Sequence, residues 1–197
     1  MRLRICLASG SPRRRELLLS IGISPIVVVP SVPEVRQPAE RAEGFVRRLA
    51  REKGEAVLSE LEPGEWLIIA ADTVVVLGEE VLGKPGTEAA AEWMLEKLSG
   101  KTHRVLTGLA LLCTQKMERS ISCTQTLVRF RELDSDSIRR YVTLDNVSDC
   151  AGGYRIQGRG VALLDGGISG SYSNVVGLPL ERLFLEAGKL GVDLLKI

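Results

Sequence analysis

The chain has 197 residues, enough for one good-sized domain or a domain in two lobes. With 45% hydrophobic and 26% charged residues, its composition is that of an ordinary water-soluble globular protein. A net charge of +1 argues against a nucleic-acid coat or a polybasic membrane binder, so any preference for anions rests on local clusters. The apolar runs are short and interrupted, so no transmembrane span is expected. Charge and turn signals come too early for a signal peptide. Cys6, Cys113, Cys123 and Cys150 are scattered without paired spacing. That fits reduced, mostly strand-borne thiols in a cytoplasmic protein better than zinc ligands or a disulfide frame. The single histidine, His103, leaves little room for histidine catalysis or a histidine metal cluster, and is expected to be a structural or surface residue.

Apolar residues over 2–8 predict a first strand, which runs through a small polar turn into a helix over 12–21. Ser11 is placed to cap this helix, and Pro12 suits its first turn, where a missing N–H costs nothing. Arg13, Arg14 and Arg15 follow at the helix end that already attracts anions through its free N–H groups and dipole. They repel one another there unless an anion arrives, which argues for a phosphate site; a solvated basic helix start is the alternative. A short strand is expected over 25–29, a Pro-bearing loop over 30–38, a long helix over 39–60 and an apolar strand over 66–77. Thr87 caps a predicted helix over 88–98. Two β runs, 103–113 and 118–131, have the pattern of an antiparallel pair, and a helix follows over 134–143. The Gly-rich region 151–177 is expected to hold short strands around 161–165, and a last helix covers 179–189 with Pro179 in its first turn. These elements predict an α/β fold on a mixed sheet, with no internal repeat or low-complexity linker.

Three charges sit where the local pattern calls for apolar or featureless positions. Asp72 lies inside Leu67-Ile68-Ile69-Ala70-Ala71-Asp72-Thr73-Val74-Val75-Val76, a buried-strand pattern. A carboxylate there needs a partner, because desolvating a charge costs several kcal/mol; a paired structural Asp and a metal-binding or basic Asp are both open. Helical spacing puts Lys53 on the stripe of Ala42, Phe45, Val46, Leu49, Ala50, Ala56 and Val57, where it either snorkels to solvent or points its ammonium into a cleft. Lys84 is held between Gly83 and Pro85, which suits a point charge aimed at a phosphate but also an ordinary surface turn. Two motifs are decoys. Ser99-Gly100-Lys101-Thr102 ends like a P-loop, but the required earlier glycine is Leu95 and a helix precedes it. Gly158-Arg159-Gly160 lacks the rest of a dinucleotide fingerprint.

Taken in order, several segments resemble the Maf family of nucleoside triphosphate pyrophosphatases. They are Ser9-Gly10-Ser11-Pro12-Arg13-Arg14, the Glu34 loop, Arg51-Glu52-Lys53, Ala71-Asp72-Thr73, Gly83-Lys84-Pro85, Gly152-Gly153-Tyr154-Arg155-Ile156-Gln157-Gly158 and the run from Gly170 to Leu180. They cover nearly the whole chain. The resemblance implies one domain over 1–197. Its fold would be an elongated mixed β-sheet with flanking helices, two lobes and a central cleft holding the site, similar to inosine triphosphate pyrophosphatases. It further implies a homodimer and a divalent cation, Mg²⁺, Mn²⁺ or Co²⁺, in a hard oxygen site. The implied reaction is attack of water on the α-phosphorus of a nucleoside triphosphate while pyrophosphate leaves. Arg14, Lys53 and Lys84 would supply cations for a substrate of about four negative charges, with Ser9, Ser11 and the helix N–H groups as donors. Asp72 would be the general base or water-positioning group and Glu34 a second carboxylate, both candidates for the metal.

The pyrimidine-preferring branch of the family carries Arg, Thr and Gln at positions matching Arg13, Thr73 and Gln157. The sister branch, which prefers 7-methylguanosine triphosphate, has Trp, Gln and Glu there. Arg13 would repel a cationic methylated guanine, whereas an aromatic face and a carboxylate favour it. Gln157 offers an acceptor and a donor that suit N3–H and O4 of uracil or thymine. Expected substrates are therefore dTTP, UTP and 5-modified pyrimidine analogues. Two departures stand out: Pro33 replaces a frequent family Asp beside the loop glutamate, and Cys150 replaces a frequent Lys. House-cleaning of modified nucleotides and control of division are both compatible with this activity. Two other readings compete: a non-catalytic nucleotide-binding regulator of septum formation, and a structural protein whose arginines bind phosphate nonspecifically. The first does not need the set Glu34, Lys53, Asp72 and Lys84.

Overall fold

The alternating patterns resolve into seven strands and six α-helices among residues 3–196, which the computed structural model describes. In sequence they are β1 (Arg4–Ala8), α1 (Pro12–Ser20), β2 (Ile26–Val28), α2 (Ala42–Leu58), β3 (Trp66–Leu77), β4 (Glu80–Leu82), α3 (Glu88–Leu98), β5 (Thr102–Cys113), β6 (Glu118–Phe130), α4 (Ser135–Leu144), β7 (Leu164–Ser169), α5 (Tyr172–Val176) and α6 (Leu180–Lys189). Residue 2 of the expected first strand lies outside the described residues. The strands form one mixed sheet of order β2-β1-β3-β5-β6-β7, with β4 on β3. β1 runs parallel to β2 and β3, with Cys6 opposite Ile26 and Ile68; β4 and β7 are antiparallel to their neighbours. The mixed α/β sheet with flanking helices is as expected. No helix of the described residues is long and apolar enough to cross a membrane.

Two compact units divide the chain, with boundaries inside β3, β5 and β6. The first comprises Met1–Asp72, Thr107–Thr124 and Gly177–Ile197. Here the two faces of the sheet follow the period-2 alternation of strand residues. Ile5, Leu7, Leu67, Ile69, Ala71, Leu109 and Leu111 pack with Leu18 of α1 and Leu183 and Ala187 of α6. Cys6, Ala8, Ile68, Ala70, Ala110 and Leu112 pack with Ala50 and Val57 of α2. Asp72 continues the second set, so its side chain leaves β3 on the α2 side.

Two glycines bring α2 down onto that face. A Cβ on Gly54 would meet Leu112 Cδ1 at 2.7 Å and Ala70 Cβ at 3.4 Å, and a Cβ on Gly108 would sit 2.1 Å from the Val46 carbonyl oxygen. Gly108→Ala therefore has no room without lifting α2 off β5. It is expected to cost about 3 kcal/mol, a fall in Tm of roughly 10 °C, read from thermal and urea unfolding. An unchanged midpoint would show that α2 does not depend on this approach.

The second unit comprises Thr73–Leu106 and Gln125–Val176. Its buried His103 lies edge-on to Phe130 and Tyr154, with Nε2 2.8 Å from the Tyr154 hydroxyl. Burial pushes the imidazole down to about 4, so this histidine is neutral and structural rather than catalytic. The four cysteines are free.

Several expectations shift. Thr87 does cap α3, accepting from Ala90 N at 3.2 Å. Ser11 occupies the N-cap position of α1 but its side chain makes no cap bond; its N–H donates instead to Ser9 Oγ at 3.2 Å. Residues 158–163 wind into a 3₁₀ helix, which moves the expected short strand to Leu164–Ser169. The last helix starts at Leu180, with Pro179 as its N-cap residue.

Candidate active site

The packing of α2 on β3 brings three charges together. Lys53 and Asp72 are 7% and 6% exposed, and Lys53 Nζ donates to Asp72 Oδ1 at 2.6 Å. The same ammonium donates to Glu34 Oε1 at 2.5 Å. Lys53 thus does not snorkel to solvent. It stands against the sheet face, bridging a strand carboxylate and a loop carboxylate. Glu34 is more open than the other two, so the cluster grades from a buried carboxylate to a solvent-reachable one.

At the start of α1, Arg14 Nε donates to the Gly177 carbonyl at 2.7 Å and Nη1 to Ser9 Oγ at 3.1 Å. Burial lowers the Arg14 guanidinium from its ordinary value, the Asp72 and Glu34 carboxylates oppose that shift, and Arg13 adds to it. Arg14, Asp72 and Glu34 therefore share one electrostatic field, and Lys53 and Arg14 balance the two carboxylates within it. Buried Ser9 and the N–H groups of α1 complete a polar rim whose donors suit an anion.

Glu34 sits in a loop with no periodic pattern, and α2 holds it. Arg48 Nε and Nη2 grip Glu40 at 2.8 and 2.7 Å, Nη2 also donates to the Val35 carbonyl at 3.0 Å, and Nη1 reaches Glu52 at 3.1 Å. Gln37 N donates to Glu40 Oε2 at 3.0 Å. The Arg48 guanidinium holds the Glu40 carboxyl down at about 2. Its lowered value means this pair contributes its full stability above the ordinary glutamate range and loses it as pH falls toward 2. Arg48→Ala frees the carbonyl beside Glu34. It is expected to cut turnover about tenfold while raising the acid-unfolding midpoint, measured by steady-state kinetics and pH titration of the fold.

The other sequence candidates belong to the second unit. Thr73 follows Asp72 on β3, half-buried on the opposite face. Lys84 is in a short loop after β4, held where Gly152 N donates to the Gly83 carbonyl and Gly86 N to the Ser148 carbonyl, both at 3.0 Å. Gln157 is half-buried, extended at φ −74° and ψ 154°, just before the 3₁₀ helix. The structure thus unites Ser9, Ser11, Arg13, Arg14, Glu34, Lys53 and Asp72 in the first unit; Thr73, Lys84 and Gln157 are set by separate local frames. Sequence reasoning misses Arg48 and the Gly177 carbonyl. Arg47 and Arg51 crowd the same helix and hide Arg48, and a backbone acceptor has no sequence signal.

The donor set fits a hard divalent cation. Glu34 and Asp72 point oxygens at one ammonium, so those oxygens are already close together. Among the described residues no group of three or more His, Cys, Asp or Glu could hold a metal ion; a cation held by Glu34 and Asp72 would take its other ligands from water and phosphate oxygens. That division is typical of Mg²⁺ sites at phosphates.

Residues 4–188 match the family described as Maf-like protein. The chain belongs to the Maf-like protein family. It is 48% identical to the dTTP/UTP pyrophosphatase of Symbiobacterium thermophilum over 179 residues, 91% of this chain and 90% of that protein. It is 47% identical to the dTTP/UTP pyrophosphatase of Myxococcus xanthus over 190 residues, 96% and 94% of the two chains. The solved structure of the Staphylococcus aureus Ham1 protein is similar at a TM-score of 0.46, with 17% identity over 66% of this chain and 72% of that one. The candidate site of this Maf-like chain is a Lys-bridged carboxylate pair beside an arginine-bearing helix start.

Proposed function

We infer that the chain is a nucleoside triphosphate pyrophosphatase that hydrolyses dTTP and UTP, and 5-modified pyrimidine analogues, to the monophosphate and pyrophosphate. The Lys53–Asp72–Glu34 cluster beside Arg14 is the observation that carries this reading, and the 47–48% identity to dTTP/UTP pyrophosphatases supports it.

Asp72 takes the proton of the attacking water. It is the right group for this because its strand and the Lys53 contact fix its position, and burial shields it from competing solvent. Lys53 and Arg14 offset the negative charge that builds on the phosphates, and Lys84 is assigned the same task. Ser9, Ser11 and the α1 N–H groups donate to phosphate oxygens. Glu34 and Asp72 would hold Mg²⁺, Mn²⁺ or Co²⁺, which would supply charge neutralisation at the phosphates. Arg13, Thr73 and Gln157 are assigned to the base. The same reading takes residues 1–197 as one domain and the protein as a cytoplasmic homodimer.

Pyrophosphate release with Mg²⁺ or Mn²⁺ tests this across dTTP, UTP, CTP, GTP, ATP, dITP and 7-methyl-GTP. Turnover concentrated on dTTP and UTP supports both the reaction and the base assignment. Equal cleavage of purines would remove Arg13, Thr73 and Gln157 as base readers. No turnover by folded protein would leave a nucleotide-binding regulator.

A further inference from the structure

Gln157 does not discriminate pyrimidines by its chemistry alone. A carboxamide matches N3–H and O4 of uracil in one orientation and N3 and the N4 amine of cytosine after a half-turn. Selecting UTP over CTP therefore depends on which edge of the base the carboxamide can reach and in which orientation, and that reach is set by the backbone that carries it. The surrounding segment is restrained at almost every position. Tyr154 is buried and joined to His103, and Ile156 is buried. Tyr141, on α4, accepts from Arg155 N at 3.1 Å and donates to the Arg155 carbonyl at 3.3 Å. Gly160 N reaches the Gln157 carbonyl at 3.4 Å, and a Cβ on Gly160 would lie 1.7 Å from the Arg155 carbonyl oxygen.

Asp145, the residue after α4, ties this segment from below. It is fully buried, yet it is a carboxylate. Arg155 Nη2 donates to Asp145 Oδ1 at 2.8 Å and Arg159 Nη1 to the same oxygen at 3.1 Å. These arginines flank Gln157 by two residues on each side. Burial raises the Asp145 carboxyl, and the two guanidiniums more than reverse that. Here one carboxylate closes a bracket around the residue assigned to the base.

We propose that Asp145, with Tyr141, is a positioning residue for pyrimidine specificity: the Arg155–Asp145–Arg159 bracket fixes the backbone that carries Gln157. This rests on the assignment of Gln157 to the base.

The test compares kcat and KM on UTP and CTP for Asp145→Asn, Arg159→Gln, Gln157→Ala and the double variant of Asp145→Asn with Gln157→Ala. Asp145→Asn is expected to lower the UTP-to-CTP ratio of kcat/KM about tenfold, through KM, with kcat on UTP within about twofold. Arg159→Gln breaks only the exposed limb, keeps the fold if Asp145→Asn does not, and should lower the ratio about threefold. On the Gln157→Ala background, Asp145→Asn should change the ratio no further, because the two act as one unit. If Gln157→Ala lowers the ratio while Asp145→Asn and Arg159→Gln leave it unchanged, the bracket is structural and the proposal falls alone. If Gln157→Ala itself leaves the ratio unchanged, the base assignment falls and takes the proposal with it. Additive effects of Asp145→Asn and Gln157→Ala would also overturn it.

Discussion

Asp72→Asn is expected to lower turnover of dTTP and UTP about a thousandfold while the protein still binds nucleotide, since it removes the proton acceptor but keeps the shape. The carboxamide that replaces the Asp72 carboxylate retains an oxygen to accept from Lys53, and Glu34 still pairs the ammonium, so the fold should survive. Nucleotide binding, measured without divalent metal and with a non-hydrolysable α,β-methylene analogue, should hold or tighten, because a negative charge on the phosphate side of the site is gone. Loss of binding together with turnover would make Asp72 a ligand for the substrate complex rather than the base. Full retention of turnover would move the base to Glu34.

Lys53→Met carries the second large effect, and it separates packing from catalysis. Methionine keeps the length of the side chain over β3 but leaves Asp72 in a buried site without its ammonium. Removing one partner of a buried pair typically costs about 3–5 kcal/mol. Glu34 is partly open to solvent and relaxes outward, so the lower end of that range is expected for unfolding in urea. Activity should fall further than stability explains, about a hundredfold or more in kcat/KM at a temperature where the variant is folded, because a phosphate cation is lost. A variant that is less stable but fully active would make Lys53 a structural counter-ion only.

How much of this is legible in the sequence depends on whether a residue breaks a pattern. Asp72 interrupts a buried strand run and Lys53 an apolar helix stripe, so both stand out, and periodicity puts each on the buried side of its own element. Their partnership is not visible, because it depends on Gly54 and Gly108 letting α2 close onto the sheet. Glu34 breaks no pattern in its Pro-bearing loop and is reached only through family resemblance; Arg48, further along the chain, fixes that loop. The cap expected of Ser11 fails because its N–H turns back to Ser9 Oγ, which also serves Arg14. The helix expected over 39–60 is too long at both ends: Ala39 takes a left-handed φ of 59°, and no Gly or Pro marks the stop after Leu58. The Gly-rich stretch hides both the 3₁₀ helix before β7 and the short α5, since neither has room for a hydrophobic period.

Hydrolysis of dTTP in ¹⁸O-labelled water, with the products separated by mass, tests the chemistry most directly. Attack at the α-phosphorus, with Asp72 as base, puts one label in the thymidine monophosphate and none in pyrophosphate, and Asp72→Asn slows that incorporation without redirecting it. Label in pyrophosphate or in inorganic phosphate would contradict it, because water would then be attacking a phosphorus other than the one this site is inferred to address.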